Sequence, residues 1–255
     1  MEASDAIDEQ LALAGPDTRK IRTDDYLLLR YPDRLRSPTM GLVQAWTFAR
    51  RPLATFAKEA EDQVRSWGED EIRWWVFDDA LAGDEAPLVA RGGELCDTYH
   101  LLARDIEQAG SSPEATTVVA DRASYEALVE VETTGWGRAP LDAASIEVGY
   151  EEYLRDLEGR QGFAILATVD GVPAAIGRCR MYGDVARLAG AVTLERARNR
   201  GAYVRVLAAR LVLARSWGAT LALTRARPST SAPILERLGF ERYRVERCYS
   251  VRLTQ

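Results

Sequence analysis

Histidine, cysteine and lysine are scarce in this 255-residue sequence, which has one histidine, His100, three cysteines and only two lysines, Lys20 and Lys58. One histidine excludes a His-rich metal site and argues against a Ser–His–Asp triad. Cys96, Cys179 and Cys248 are odd in number and widely spaced, with no CxxC pair. They fit neither a disulfide framework nor a metal knuckle, so the expectation is no bound metal and a reducing, cytoplasmic setting. Long apolar runs are also missing: none approaches the ~18 residues of a membrane span. Met1–Gln10 is acidic and lacks the basic and apolar regions of a signal peptide. Positive charge is in deficit, with 33 basic against 39 acidic side chains and a net charge of -6. Neither a membrane nor a nucleic acid is therefore expected as a partner. The near-exclusive use of arginine among the basic residues reads as coding bias. What is present is ordinary for a globular protein: 47% hydrophobic and 28% charged residues, on a chain long enough for one or two domains with a core of their own.

The sequence repeats itself. Arg65-Ser66-Trp67-Gly68 recurs as Arg215-Ser216-Trp217-Gly218, 150 residues on. A helix-like stretch precedes each copy, Leu53–Trp67 and Ala202–Trp217. A strand candidate follows each, Glu71–Phe77 and Thr220–Thr224, then a short apolar stretch ending in Gly92 or Gly239, then β-like segments at Tyr99–Ile106 and Tyr249–Leu253. Two related lobes follow from this. Gly110-Ser111-Ser112-Pro113-Glu114 has linker chemistry and divides the chain into 1–112 and 113–255. The first lobe is the shorter.

The second lobe reads as β-α-α-β-β-β-α-β-α-β-β, a mixed α/β unit. Thr116–Val119 is a β-branched strand, Ser124–Glu132 a helix capped near Asp121 or Ser124, and Glu147–Leu157 an acidic helix. Phe163–Val169 and Pro173–Tyr182 are strands joined by Asp170-Gly171, a tight-hairpin dipeptide. Val185–Leu194 is an apolar strand leading to Arg198-Asn199-Arg200-Gly201-Ala202-Tyr203 at the start of a long helix. Such a loop offers unpaired N–H groups and the positive end of the helix dipole to an anion, and Gly201 admits close backbone approach. Taken alone, a glycine between arginines at a helix start is also an ordinary solvated N-terminus.

With its neighbours, the loop resembles the GNAT superfamily of acyl-CoA-dependent N-acyltransferases, over about Thr116–Leu253. Arg198–Tyr203 resembles the family's Q/R-x-x-G-x-G/A loop, with Tyr203 where a small residue is usual. Ser231–Phe240 resembles the helix ending in Gly-Phe beside the pantetheine arm, and Ala167–Gly177 the hairpin of the second and third strands. The implied fold is a mixed α+β, tandem arrangement of two GNAT-like lobes: a truncated N-terminal one, and a complete C-terminal one with a central mixed sheet flanked by helices. The resemblance implies acetyl-CoA, or another acyl-CoA, as co-substrate. Val192, Thr193 and Leu194 would offer backbone groups to pantetheine and acyl carbonyl, and Arg198, Asn199, Arg200, Gly201, Ala202, Tyr203 and Val204 would hold the pyrophosphate. In the first lobe Arg51 and Pro52 stand at the counterparts of Gly201 and Ala202. The one lacks glycine's close approach and the other lacks an N–H, so no CoA site is expected there.

The reaction implied is direct transfer, in a ternary complex, of an acetyl group to a primary amine of a small molecule. The amine must lose a proton, because alkyl ammonium groups near pKa ~10 are mostly charged at neutral pH, and N–H groups near Thr193 would stabilise the oxyanion. The family's usual tyrosine proton donor is replaced by Leu235. Ser231, Tyr203, Tyr243 or water could serve instead, with Ser231 best placed, although a helix-capping serine is the plainer reading. Glu132 could hold the acceptor ammonium as the acidic partner in catalysis, and Trp136 could wall it. Their plainer readings are a solvated charge and core filling. Trp74-Trp75 and His100 read as structural. Peptide N-termini as acceptors, a different acyl-CoA or reaction, and a non-catalytic acyl-CoA- or ligand-binding regulator are the alternatives. A monomer and a homodimer are both compatible with two fused lobes.

Overall fold

A computed structural model of the chain describes residues 17–33, 41–47, 51–77, 85–106 and 113–253. The readings of Met1–Gln10 and of Gly110–Ser112 fall outside these residues. In chain order the elements are β1 (Arg19–Arg22), β2 (Tyr26–Arg30), β3 (Val43–Thr47), α1 (Ala57–Ser66), β4 (Glu71–Phe77), α2 (Glu85–Ala90), β5 (Glu94–Asp105), β6 (Thr116–Val118) and α3 (Arg122–Gly135). They continue with α4 (Ala143–Glu158), β7 (Gly162–Val169), β8 (Val172–Tyr182), β9 (Val185–Thr193), α5 (Ala202–Ser216), β10 (Leu221–Ala226), α6 (Ala232–Arg237) and β11 (Glu241–Arg252). Two compact units result. The first gathers Met1–Leu101 with Ala226–Arg237 and Arg242–Gln255; the second gathers Leu102–Arg225 with Leu238–Glu241.

In the first unit the strand order is β1-β2-β3-β4-β11-β5. β4 is apolar on both faces, as a central strand must be. Ile72, Trp74 and Val76 pack with Ala57, Ala60 and Val64 of α1, whose spacing places them on one helical face. Trp75 and Phe77 point the other way, onto Leu27, Leu29 and Trp46. On that face the Trp46 Nε1–H donates to Glu246 Oε1 at 3.1 Å and the Trp75 Nε1–H to Gln44 Oε1 at 3.0 Å, so both buried indoles have partners. Trp74 and Trp75, read as interlobe or core packing, both lie in the core, one on each face of β4.

One expectation changes here. The β-like ending is one long strand, β11, in place of two short ones. β11 pairs antiparallel with β4 from Glu246↔Phe77 to Arg252↔Glu71. That ladder ties the last strand of the chain to the N-terminal sequence. β1, β2 and β3 were not foreseen.

The second unit has the strand order β10-β9-β8-β7-β6. Strand alternation sends Ala164, Leu166 and Ile176 to one face, under Tyr125, Leu128 and Val129 of α3 and Tyr153 of α4. It sends Phe163 to the other, against Trp217 just beyond α5. α3 opens with a capping box in which the Ser124 N–H donates to Asp121 Oδ1 at 2.8 Å and Ser124 Oγ accepts from the Asp121 N–H at 3.2 Å. The Tyr153 hydroxyl donates to Val119 O at 2.6 Å and accepts from the Ala164 N–H at 3.1 Å, tying α4 to the sheet. Asp170 and Gly171 both have positive φ, +54° and +77°, the geometry that a two-residue hairpin turn requires.

Candidate functional site

The site is built where β9 leaves its neighbour. β9 and β10 pair in parallel only from Val185↔Leu221 to Leu188↔Thr224, with Thr224 Oγ1 donating to Leu188 O at 3.1 Å at the end of the ladder. On its other edge β9 pairs with β8, and the register shifts between Ile176↔Val192 and Arg178↔Ala189. Gly190 and Ala191 thus oppose the single residue Gly177, which is a β-bulge, and Gly190 has φ +54°. The Leu194 N–H donates to Ala174 O at 2.9 Å, toward β8. Alternation along a strand then turns the Thr193 N–H to the opposite edge, where the β10 ladder has ended.

The chain next makes a 3-10 turn, Glu195–Ala197, and then the turn that starts α5. Asn199 has φ +60° and Gly201, the N-cap, +73°. No side chain caps this helix. Its first N–H groups are left for an external acceptor, in a left-handed turn of the kind that forms anion nests. Three nearby arginines are committed within the unit. Arg200 forks onto Asp170 at 2.8 and 2.9 Å, Arg205 donates to Arg200 O and Thr168 O, and Arg196 donates to Pro173 O. The hairpin and the loop are therefore stapled together. The Arg198 backbone N–H donates to Glu195 O at 3.1 Å, and its side chain is exposed, with no hydrogen bond or ion pair to another described residue. It lines a cleft of about 580 Å³ with Thr134, Gly135, Leu194, Glu195 and Arg196.

The opposite wall comes from the end of α3. A Cβ on Gly135 would stand 2.5 Å from Val192 Cγ2, so only glycine lets the helix end lie this close to β9. Trp136 follows, 37% exposed, with the Arg138 guanidinium 4.5 Å from its ring centroid. A Cβ built on Gly190 would be 3.7 Å from the Trp136 ring and 3.5 Å from Arg178 Cδ. Trp136 is therefore a wall over the bulge. Glu132 is largely buried, and Arg178 grips both its oxygens, at 2.6 and 2.8 Å. Burial pushes the Tyr125 phenol up, against the opposing pull of Arg178.

Ser231, Leu235, Tyr243 and Arg51 lie in the first unit. Ser231 Oγ accepts from the Arg227 N–H at 3.0 Å, a cap on the turn before α6. Leu235 is buried and Tyr243 exposed. Arg51, the counterpart of Gly201, pairs with the buried Asp25 through Nη2 and Nε. Among the described residues no group of three or more His, Cys, Asp or Glu could hold a metal, and no helix is long and apolar enough to cross a membrane.

Two residues that shape the site were missed in the sequence: Arg178 and Gly190. Arg178 owes its role to Glu132, 46 residues away on α3, and Gly190 owes its role to the register of β9 against β8.

No protein-family model matches the sequence, and no curated protein matches it significantly. Solved structures do. A GCN5-related N-acetyltransferase from Kribbella flavida aligns with a TM-score of 0.70 at 20% identity, over 98% of this chain and 96% of its own. One from Sphaerobacter thermophilus gives 0.63 at 15% identity, over 97% and 86%. A tandem GNAT protein from the clavulanic acid biosynthesis pathway gives 0.60 at 16% identity, over 95% and 85%. At such identities the likeness is one of architecture, and together with the bulged, diverging β9 and the glycine-opened α5 it shows that this chain has the fold of the GCN5-related N-acetyltransferases.

Proposed function

We propose that the protein is an acyl-CoA-dependent N-acyltransferase that moves an acetyl group from acetyl-CoA to a primary amine of a small molecule. The observation that carries this reading is the sequence of bulge, divergence and uncapped helix over Gly190–Ala202, with Arg198 exposed beside it. The backbone of Val192, Thr193 and Leu194 would bind the pantetheine and acyl carbonyl. Residues Arg198–Val204 would bind the pyrophosphate, through N–H groups, the helix dipole and the Arg198 charge. In this reading residues 113–255 carry the transfer chemistry, and the 1–112 lobe has no CoA site because Arg51 and Pro52 replace the glycine loop.

Each step needs a group. The acceptor ammonium releases one proton to solvent, its lone pair attacks the thioester carbonyl, and the Thr193 N–H steadies the oxyanion. Collapse breaks the C–S bond, and the leaving thiolate takes up a proton from a hydroxyl that is replenished by the proton the new amide nitrogen sheds. Ser231 is the proposed donor. Glu132 is the proposed partner of the acceptor ammonium: a carboxylate has about four acceptor positions, and Arg178 uses two. Trp136 supplies the aromatic wall.

Calorimetric titration with acetyl-CoA tests the cradle. One site per chain is expected, abolished by Gly201→Glu with the fold intact, because the new carboxylate meets the phosphate and loses glycine's left-handed backbone. Unchanged affinity in that variant sinks the assignment. Leu235, at the usual tyrosine position, favours a second reading as an acyl-CoA-binding regulator. Binding without release of free CoA thiol across a panel of amines would select it.

A further inference from the structure

Arg210 lies on α5, two turns beyond Tyr203, and is 2% exposed. Its Nη1 donates to Arg178 O at 3.1 Å and reaches Ala189 O at 3.4 Å. These are the carbonyls of the pair at which the β8–β9 register shifts. Its Nε has no partner among the described residues. The ionisable groups that act on it are Tyr203 and Cys179, with no carboxylate among them, and burial pushes the guanidinium down. A buried cation without a counter-ion is costly, and an apolar residue of similar volume is often no worse for stability. The chain nevertheless makes room for it. A Cβ on Gly177 would come within 2.8 Å of Arg210 Cζ and Nε.

The acceptors explain the arrangement. A bulge interrupts the ladder, and carbonyls that would have met N–H groups face the interior instead. We propose that Arg210 is the positioning residue of the acyl-CoA slot: its guanidinium binds the Arg178 and Ala189 carbonyls from the α5 side and so holds the bulge that turns the Thr193 N–H away from β8. Without it, β9 lowers its energy by regular pairing with β8. A one-residue slip moves each side chain and N–H of Gly190–Thr193 to the other side. The role in acyl-CoA binding rests on the proposed function. The role in the bulge does not.

Arg210→Met tests both roles in the full chain, with Arg210→Lys beside it. Amide hydrogen exchange over Ala189–Leu194 is expected to change at least tenfold in Arg210→Met, with exchange in α4 as in the wild type. Acetyl-CoA affinity should fall at least tenfold. Arg210→Lys, which keeps a cationic donor, should restore part of both. If Arg210→Met does not fold, Gly177→Ala takes its place, because the added methyl displaces the guanidinium without removing it. Bulge exchange within twofold of wild type in the folded variant overturns the proposal, whatever acetyl-CoA does. Altered exchange with acetyl-CoA affinity within twofold overturns the link to the slot. A wild-type chain that binds no acetyl-CoA removes the functional reading instead, and the exchange comparison still decides what Arg210 does.

Discussion

Cys96 and Cys248 stand on the neighbouring strands β5 and β11, and the Cys96 thiol donates to Cys248 O at 3.3 Å. That bond favours the neutral thiol, but a hydrogen bond with the Cys248 side chain and the charge of Arg73 favour the thiolate and hold the exposed Cys96 thiol down at about 7. Burial pushes Cys179 up to about 12. The thiolate is the reactive form. Iodoacetamide should therefore label Cys96 first, with a rate that is half-maximal near pH 7 and flat by pH 9, while Cys179 stays unmodified in the folded protein. Peptide mapping across a pH series reads this directly. A Cys96 rate still climbing between pH 8 and 9 would mean an ordinary thiol, with no help from Cys248. Linear spacing along the sequence missed this neighbourhood. The two cysteines are 152 residues apart and meet only through strand pairing.

At the scale of elements, α3 is positioned by what Gly135 lacks. Val192 is β-branched and stiff at χ1, so it cannot swing away from a methyl built 2.5 Å from its Cγ2. Gly135→Ala should cost about 1–3 kcal/mol through overpacking and lift Trp136 from the bulge. Val192→Ala vacates the same space, so the pair should couple favourably by at least ~0.5 kcal/mol in a double-mutant cycle read by urea unfolding. Strict additivity would show that helix and strand do not meet there. The elements of this unit were mostly legible because their signals are local: Asp121 and Ser124 for the cap, Asp170-Gly171 for the hairpin, Gly201 for the start of α5. The bulge was not legible. It exists only as a mismatch between β8 and β9, and nothing within Val185–Leu194 reports which residue faces Gly177. Glu132 on α3 illustrates the same limit, because the arginine that occupies it is 46 residues away on β8.

For the whole molecule, the repeat led to two lobes and the linker chemistry to a cut at 112/113, while the last strand, β11, pairs with β4. β11 carries Cys248, Tyr249 and Val251, and Leu253 follows it, each no more than 7% exposed. Tyr249, Val251 and Leu253 belong to the cluster built by Trp74, Phe56 and Val64. Burying an aliphatic or aromatic side chain contributes about 1.5–3 kcal/mol, so these three are worth several kcal/mol. A domain's entire stability is about 5–15 kcal/mol. A fragment spanning 113–255 keeps β6 to β10 but lacks both β4 and β5, the neighbours of β11, so this apolar strand is left with both edges unpaired, and such edges associate. Expressed alone, that fragment should aggregate or run as a heterogeneous oligomer in size-exclusion chromatography. Replacing Tyr249, Val251 and Leu253 with serine should shift it toward monomer, since the apolar surface is then gone. A monodisperse 113–255 fragment with a cooperative thermal transition would show instead that β11 can be satisfied without the N-terminal sequence, and that the linker is the true boundary of folding.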